Sequence, residues 1–125
     1  MGEEKSSPFT HPVGHKEEKV WGSWEILAQG LGYQIKLLVF NPGAEMSLQL
    51  HRYREEFWTV IYGRGTAWIG DKHDISLSPS LGSLYRVRKL QPHRIRVDGH
   101  SLKGLGILEL QKGDYLGEDD LIRIS

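Results

Sequence analysis

The sequence predicts an all-β domain folded as a closed or nearly closed sandwich or barrel, on three observations. Its apolar runs are short and are cut by Gly, Asp, Asn or Pro at intervals of about ten residues, the spacing of strands joined by tight turns. No window sustains a helical period. Fifteen glycines in 125 residues match the number of turns such a pattern needs. Closure would also remove the exposed edges that many short strands leave.

The elements follow in order. Residues 1–19 carry two charged clusters and prolines at 8 and 12, and read as a flexible N-terminal arm. Residues 20–125 read as one domain. VWGSWEIL at 20–27 is its first anchor, with Trp21 and Trp24. YQIKLLVF at 33–40 is a strand stopped by Asn41-Pro42-Gly43, and MSLQLH at 46–51 alternates. FWTVIY at 57–62 is aromatic and β-branched and ends at Gly63-Arg64-Gly65; TAWI at 66–69 ends at Gly70-Asp71. DISLS, SLYRV, HRIRV and LKGLGILEL continue the style. The tail GEDDLIRI has two readings. Its acidic trio at 118–120 suits a helix start, while LIRI alternates like a last strand. Trp21, Trp24, Trp58 and Trp68 are read as packing residues. His11, His15, His73 and His100 have no partners at useful spacing and are read as surface residues.

Composition narrows the function. Sixteen Lys plus Arg balance sixteen Asp plus Glu, which argues against a nucleic-acid partner held by bulk positive charge. The absence of cysteine excludes disulfides, thiolate metal sites and Cys nucleophiles. No apolar run approaches the roughly 20 residues of a membrane-spanning helix. The polar start lacks the apolar core of a signal peptide, so the expectation is a cytoplasmic protein with no membrane partner. No phosphate-loop or dinucleotide glycine motif is present.

Gln49 and His51 lie two apart on a strand and share a face. Glu56 follows within five residues, and His93 opens a later strand. Two imidazoles, a carboxylate and an amide oxygen form a sulfur-free donor set that suits zinc, iron, manganese or nickel. An ordinary half-buried strand would show the same alternation around Gln49 and His51. Lys36 lies on the 33–40 strand; turned inward it would need a partner, and turned outward it would be a solvated charge. Arg86 and Arg88 fall on one strand face and read either as an anion site or as a solvated basic face.

From Gly43 the sequence reads Gly, five residues, Gln49, one residue, His51, four residues, Glu56, six residues, Gly63. This resembles the first cupin motif, with Gln in place of its first His. From Gly82 it reads Gly, five residues, Arg88, one residue, Leu90, two residues, His93, the spacing of the second motif. Four segments further resemble the C-terminal isomerase domain of the bifunctional type II phosphomannose isomerases. They are 20–27, PGAEMSLQLHRYREEFWTVIYGRG at 42–65, QPHRI at 91–95, and GDYLGEDDLIRI at 113–124. Where that family reads His-His-His-Arg-Ala-Glu-His-Trp, this chain has Arg52, Tyr53 and Phe57 in place of three histidines and keeps Arg54.

The resemblance implies a cupin fold, a double-stranded β-helix or jelly-roll barrel, over residues 20–125. It implies one divalent metal, zinc first and manganese, cobalt, nickel or iron as alternatives, held by Gln49, His51, Glu56 and His93. The implied function is a stand-alone mannose-6-phosphate isomerase interconverting mannose 6-phosphate and fructose 6-phosphate through an enediolate. The alternative is a non-catalytic cupin that binds a sugar phosphate or nucleotide sugar. Arg94, Lys36 and Tyr53 are the candidate catalytic residues. Arg54, Glu55, Arg86 and Arg88 are the candidates for substrate contact, since arginine matches phosphate geometry. Family habit and the edge argument together point to a homodimer.

Overall fold

The computed structural model describes residues 7–80 and 83–125, so Gly82 of the second motif and residues 1–6 of the expected arm lie outside the described residues. The described residues form eleven strands and no helix. In chain order they are β1 (Lys16–Lys19), β2 (Gly22–Gly30), β3 (Tyr33–Phe40), β4 (Gln49–Leu50), β5 (Arg54–Gly63) and β6 (Gly65–Ile69). Then come β7 (Lys72–Leu77), β8 (Tyr85–Val87), β9 (His93–Val97), β10 (Leu105–Gly113) and β11 (Ile122–Arg123).

Two antiparallel sheets result, one ordered β1-β2-β3-β10-β5-β8 and the other β11-β4-β9-β6-β7. They pack face to face. Phe40, Trp58, Val60, Leu105 and Ile107 of the larger sheet bury against Ala67, Ile69, Leu77, Ile95 and Val97 of the smaller. This is the cupin fold that the family resemblance implies.

The interior has an apolar half and a polar half, and strand parity explains both. Inward residues recur every second position. On β10 they run Leu105, Ile107, Glu109, Gln111, from oily to polar. On β5 they run the other way, Arg54, Glu56, Trp58, Val60. The strands are antiparallel, so like meets like: Gln111 faces Gln34 and Glu56, Glu109 faces Lys36 and Trp58, and Ile107 faces Leu38 and Val60. The apolar half carries the hydrophobic stabilisation, and the polar half is left open to chemistry. Two glycines let the loops close over the apolar end. Gly63 and Gly104 have φ of 89° and 78°, and a Cβ on either would run into a backbone carbonyl.

The structure corrects the arm. Residues 16–19 are strand β1, paired along its length with β2. Upstream, Gly14 N–H donates to Ile26 (2.8 Å), and the Pro8 carbonyl accepts from Leu116 (2.7 Å). KEEK looks like linker because it is an edge strand with its side chains mostly in water, and edges are often charged. MSLQLH is a strand only at Gln49–Leu50; before that it stays extended beside β9, with Met46 N–H donating to Ile95. At the tail the strand reading holds, with β11 paired to β4.

Candidate metal centre

His51, Glu56 and His93 converge at the polar end of the barrel, all three buried. His51 follows β4, Glu56 is an inward position of β5, and His93 opens β9 opposite Gln49. His51 Nε2 lies 3.1 Å from Glu56 Oε2, and His93 Nε2 lies 3.9 Å from Glu56 Oε1. The other nitrogen of each ring is tied to backbone. His51 Nδ1–H donates to the Asp120 carbonyl (2.5 Å), and His93 Nδ1–H donates to the Gln91 carbonyl (2.9 Å). A carbonyl only accepts, so both protons sit on Nδ1 and both Nε2 lone pairs face the shared space. Outer partners orient metal-binding histidines in this way. The donor set therefore fits a divalent ion. Gln49 lines the same cavity, but its amide nitrogen turns back to the Ser47 carbonyl (3.3 Å).

Arg54 stands inside this cluster. Its Nε and Nη2 donate to Glu56 Oε2 at 2.9 and 2.7 Å, and Nη2 lies 3.3 Å from His51 Nε2. Trp58 Nε1–H donates to Glu56 Oε1 (3.0 Å). Burial alone would push the Glu56 pKa up; the Arg54 guanidinium outweighs it and holds the carboxyl well below its ordinary range. Burial also pushes His93 down, toward the neutral form a ligand needs.

The cavity, about 220 Å³, is roofed by residues from the chain ends, Glu17, Lys19, Glu118 and Leu121. Lys36 points into it, only 3 % exposed, with its Nζ 2.5 Å from Glu118 Oε2 and 4.0 Å over the Trp24 ring. The inward alternative for Lys36 is the one observed.

Other candidates fall outside. Arg94 alternates outward from His93; it packs over Trp68 and lies 3.8 Å from Glu45. Tyr53 is 51 % exposed and packs edge-on to Tyr115. Glu55 pairs with Arg86 at 2.8 Å on the outer surface. Arg88 is exposed past the end of β8, its N–H bonded to Gln91. None of these five lines the cavity. The physical reason is parity: neighbours of an inward strand residue face out.

Several cavity residues escaped the sequence reading. Glu109 is buried between Lys36 and Trp58, and its pKa is pushed up to about 8, by burial first and by the Glu56 charge second. A relay of amides leads away from it. Gln111 Nε2 donates to Glu109 Oε1, Gln34 Nε2 to Gln111 Oε1, and Gln29 Nε2 to Gln34 Oε1, each at 2.8 Å. Gln29 Nε2 also donates to the His11 carbonyl (2.5 Å). Asp120 is buried, and its carboxylate accepts from the N–H groups of Arg52 (2.8 Å) and Tyr53 (3.0 Å). The available signal for Glu109 was parity: it shares a face with Leu105 and Ile107.

Comparison with known proteins decides the family. A family model described as mannose-6-phosphate isomerase C-terminal matches residues 9–125. The chain belongs to that family. As a member, it is 32 % identical over 120 residues to mannose-1-phosphate guanylyltransferase 2 of Escherichia coli O157:H7, covering 91 % of this chain and 23 % of the relative. It is 38 % identical over 105 residues to the alginate biosynthesis protein AlgA of Pseudomonas putida, covering 84 % and 21 %. XanB of Xanthomonas campestris is 34 % identical over 122 residues, covering 97 % and 25 %. The chain thus spans about a quarter of the length of these relatives, which carry guanylyltransferase or polysaccharide-biosynthesis names. This overturns the stand-alone isomerase reading: what the chain matches is one domain of larger guanylyltransferase-type proteins. Among solved structures, oxalate decarboxylase from Bacillus subtilis, a protein described with Mn(II) centres, superposes with a TM-score of 0.72 at 18 % identity, over 89 % of this chain and 30 % of that one. A DMSP lyase structure superposes with a TM-score of 0.65 at 20 % identity, over 82 % and 52 %. Both show the cupin fold of the family domain. No helix among the described residues is long and apolar enough to cross a membrane.

Proposed function

We propose that this family member is the isomerase module of a guanylyltransferase-type protein, catalysing an aldose–ketose exchange on a phosphorylated hexose. The observation that carries the reading is the buried His51–Glu56–His93 cluster, with both Nε2 lone pairs facing one cavity that also holds Lys36 and Glu109. Such a reaction moves a proton between two adjacent carbons and builds negative charge on their oxygens. A divalent metal, zinc first among those that accept nitrogen and oxygen donors, supplies Lewis-acid stabilisation of that charge. His51, Glu56 and His93 hold it, with Gln49 as a further oxygen donor.

The chain's own groups do the rest. Lys36 is the interior cation free of the metal donors and receives an anionic group of the sugar. Arg54 fixes the direction of Glu56. Glu109 holds a proton at neutral pH at its buried carboxyl and is the group for proton transfer. The name of the family supports mannose 6-phosphate as the sugar.

The test is conversion of mannose 6-phosphate to fructose 6-phosphate by purified chain loaded in turn with zinc, manganese, cobalt or nickel. Turnover that vanishes with a chelator and in His51→Ala supports the reading. A chain that holds metal and the sugar phosphate but turns over with none of the four metals sinks it in favour of a binding module.

A further inference from the structure

We propose that His11, His15 and Glu17 form a second divalent-metal site, at the rim of the barrel cavity. Outside the barrel centre, these are the described residues whose donor atoms converge. Two observations go beyond proximity. The first is the backbone. The chain turns at Pro12-Val13-Gly14, where His15 N–H donates to the Pro12 carbonyl (3.1 Å) and Gly14 has φ of 94°. That turn stacks the two imidazoles with centroids 3.9 Å apart. Both histidines are then fixed to β2: the His15 carbonyl accepts from Ile26 N–H (2.9 Å), and the His11 carbonyl accepts from Gln29 Nε2 (2.5 Å). Glu17, on β1, sits in register with Trp24, against which both rings pack.

The second is the spacing of the donor atoms. Glu17 Oε2 lies 2.9 Å from His15 Nε2 and 3.5 Å from His11 Nε2. Ligand atoms at roughly 2.0–2.1 Å from a tetrahedral zinc ion lie about 3.3 Å from one another. The two edges to Glu17 bracket that length and all three donor atoms lie within 4.8 Å of one another, so rotation of the stacked imidazole side chains would aim both nitrogens at one ion. The other Glu17 oxygen lies 3.1 Å from Lys19 Nζ, a partner that orients the carboxylate as outer groups do at metal sites. The donor set of two imidazoles and one carboxylate selects zinc or another borderline divalent ion, and its half-exposed position leaves the fourth ligand to water. Since Glu17, Lys19 and Trp24 also line the cavity, the ion clips the 11–17 segment to the cavity's rim.

The site is tested by zinc stoichiometry after gel filtration, with cobalt absorption as a second readout. The variants are His15→Ala, Glu17→Gln, and His51→Ala/His93→Ala. The expected result is two zinc ions per chain in the wild type and one in each variant. The His51→Ala/His93→Ala protein should show a tetrahedral cobalt spectrum that is lost when Glu17→Gln is added. Glu17→Gln keeps the shape of the side chain and guards against a variant that merely misfolds. A wild type that keeps its single ion in His15→Ala and Glu17→Gln, with none in the barrel variant, overturns the proposal and leaves the trio as a hydrogen-bonded pin. The barrel centre and the rim site fail separately in this design, so loss of one reading does not touch the other.

Discussion

Two carboxyls meet at the polar end of the barrel, and their surroundings drive them apart. Glu56 accepts from the Trp58 indole and from the Arg54 guanidinium, whose charge outweighs its burial. Glu109, equally buried, receives one amide from Gln111 and feels the Glu56 charge, and its pKa rises to about 8. The two environments assign one group as an anion and the other as an acid at neutral pH. The consequence for stability has a definite sign. Between the ordinary value of 4.5 and about 8, the folded chain keeps a proton on Glu109 that the unfolded chain has released. Glu109 therefore contributes a fall in the stability of the metal-free protein as pH rises through that window, against an opposite contribution from His93 below its ordinary value of 6.5. Glu109→Gln should flatten this slope. Urea midpoints of both proteins, measured from pH 5 to pH 8 with a chelator present, check it; parallel slopes would count against the assignment.

At the scale of elements, the tail from β10 to β11 acts on the metal centre without contributing a donor atom. The Asp120 carbonyl sets the His51 tautomer, and its carboxylate holds the backbone of the loop between His51 and β5. Asp120→Ala keeps the carbonyl on His51 and removes the carboxylate that holds the 52–53 backbone, so it should weaken zinc binding at the barrel centre by less than the roughly 10–100-fold that loss of a direct outer partner costs. Competition with a chromophoric chelator measures it, and an unchanged affinity would show the loop to be rigid without the tail. Elements of this kind also show how far the sequence could be read. His51, Glu56 and His93 were legible because the metal-motif spacing names them directly. Arg94 lies outside the cavity because side chains alternate across a strand, and Tyr53 because it stands exposed in the bend before β5. Asp120 and Glu109 were missed because they lie 69 and 53 positions from His51 and Glu56, the groups they act on, and no local pattern reports such a pairing. The strands themselves were legible from alternation and turns, except β1, whose charged edge hides it.

For the whole molecule, the outer face of the larger sheet bears on assembly. Ile35, Phe57, Leu108 and Leu110 form an apolar surface there, with Leu84 beside them 64 % exposed. Patches of this sort mark contacts, and a homodimer through this face is the proposal they support. Light scattering should give twice the chain mass of 14.3 kDa, reverting toward one in Leu108→Lys; a wild-type mass of one chain would reject it. The amide relay has a different consequence, for how the chain finds its fold. A two-residue slip of β10 along β3 would keep every inward side chain inward, so oil-and-water sorting barely penalises it. The relay does. Slipped one way, Lys36 would face Ile107 and the Gln34–Gln111 bond between the two strands would break, leaving a cation dry against an apolar partner. Lys36 with Glu109 and Gln34 with Gln111 thus work as the teeth of a key, admitting one alignment of the two strands from several that their greasy residues would accept.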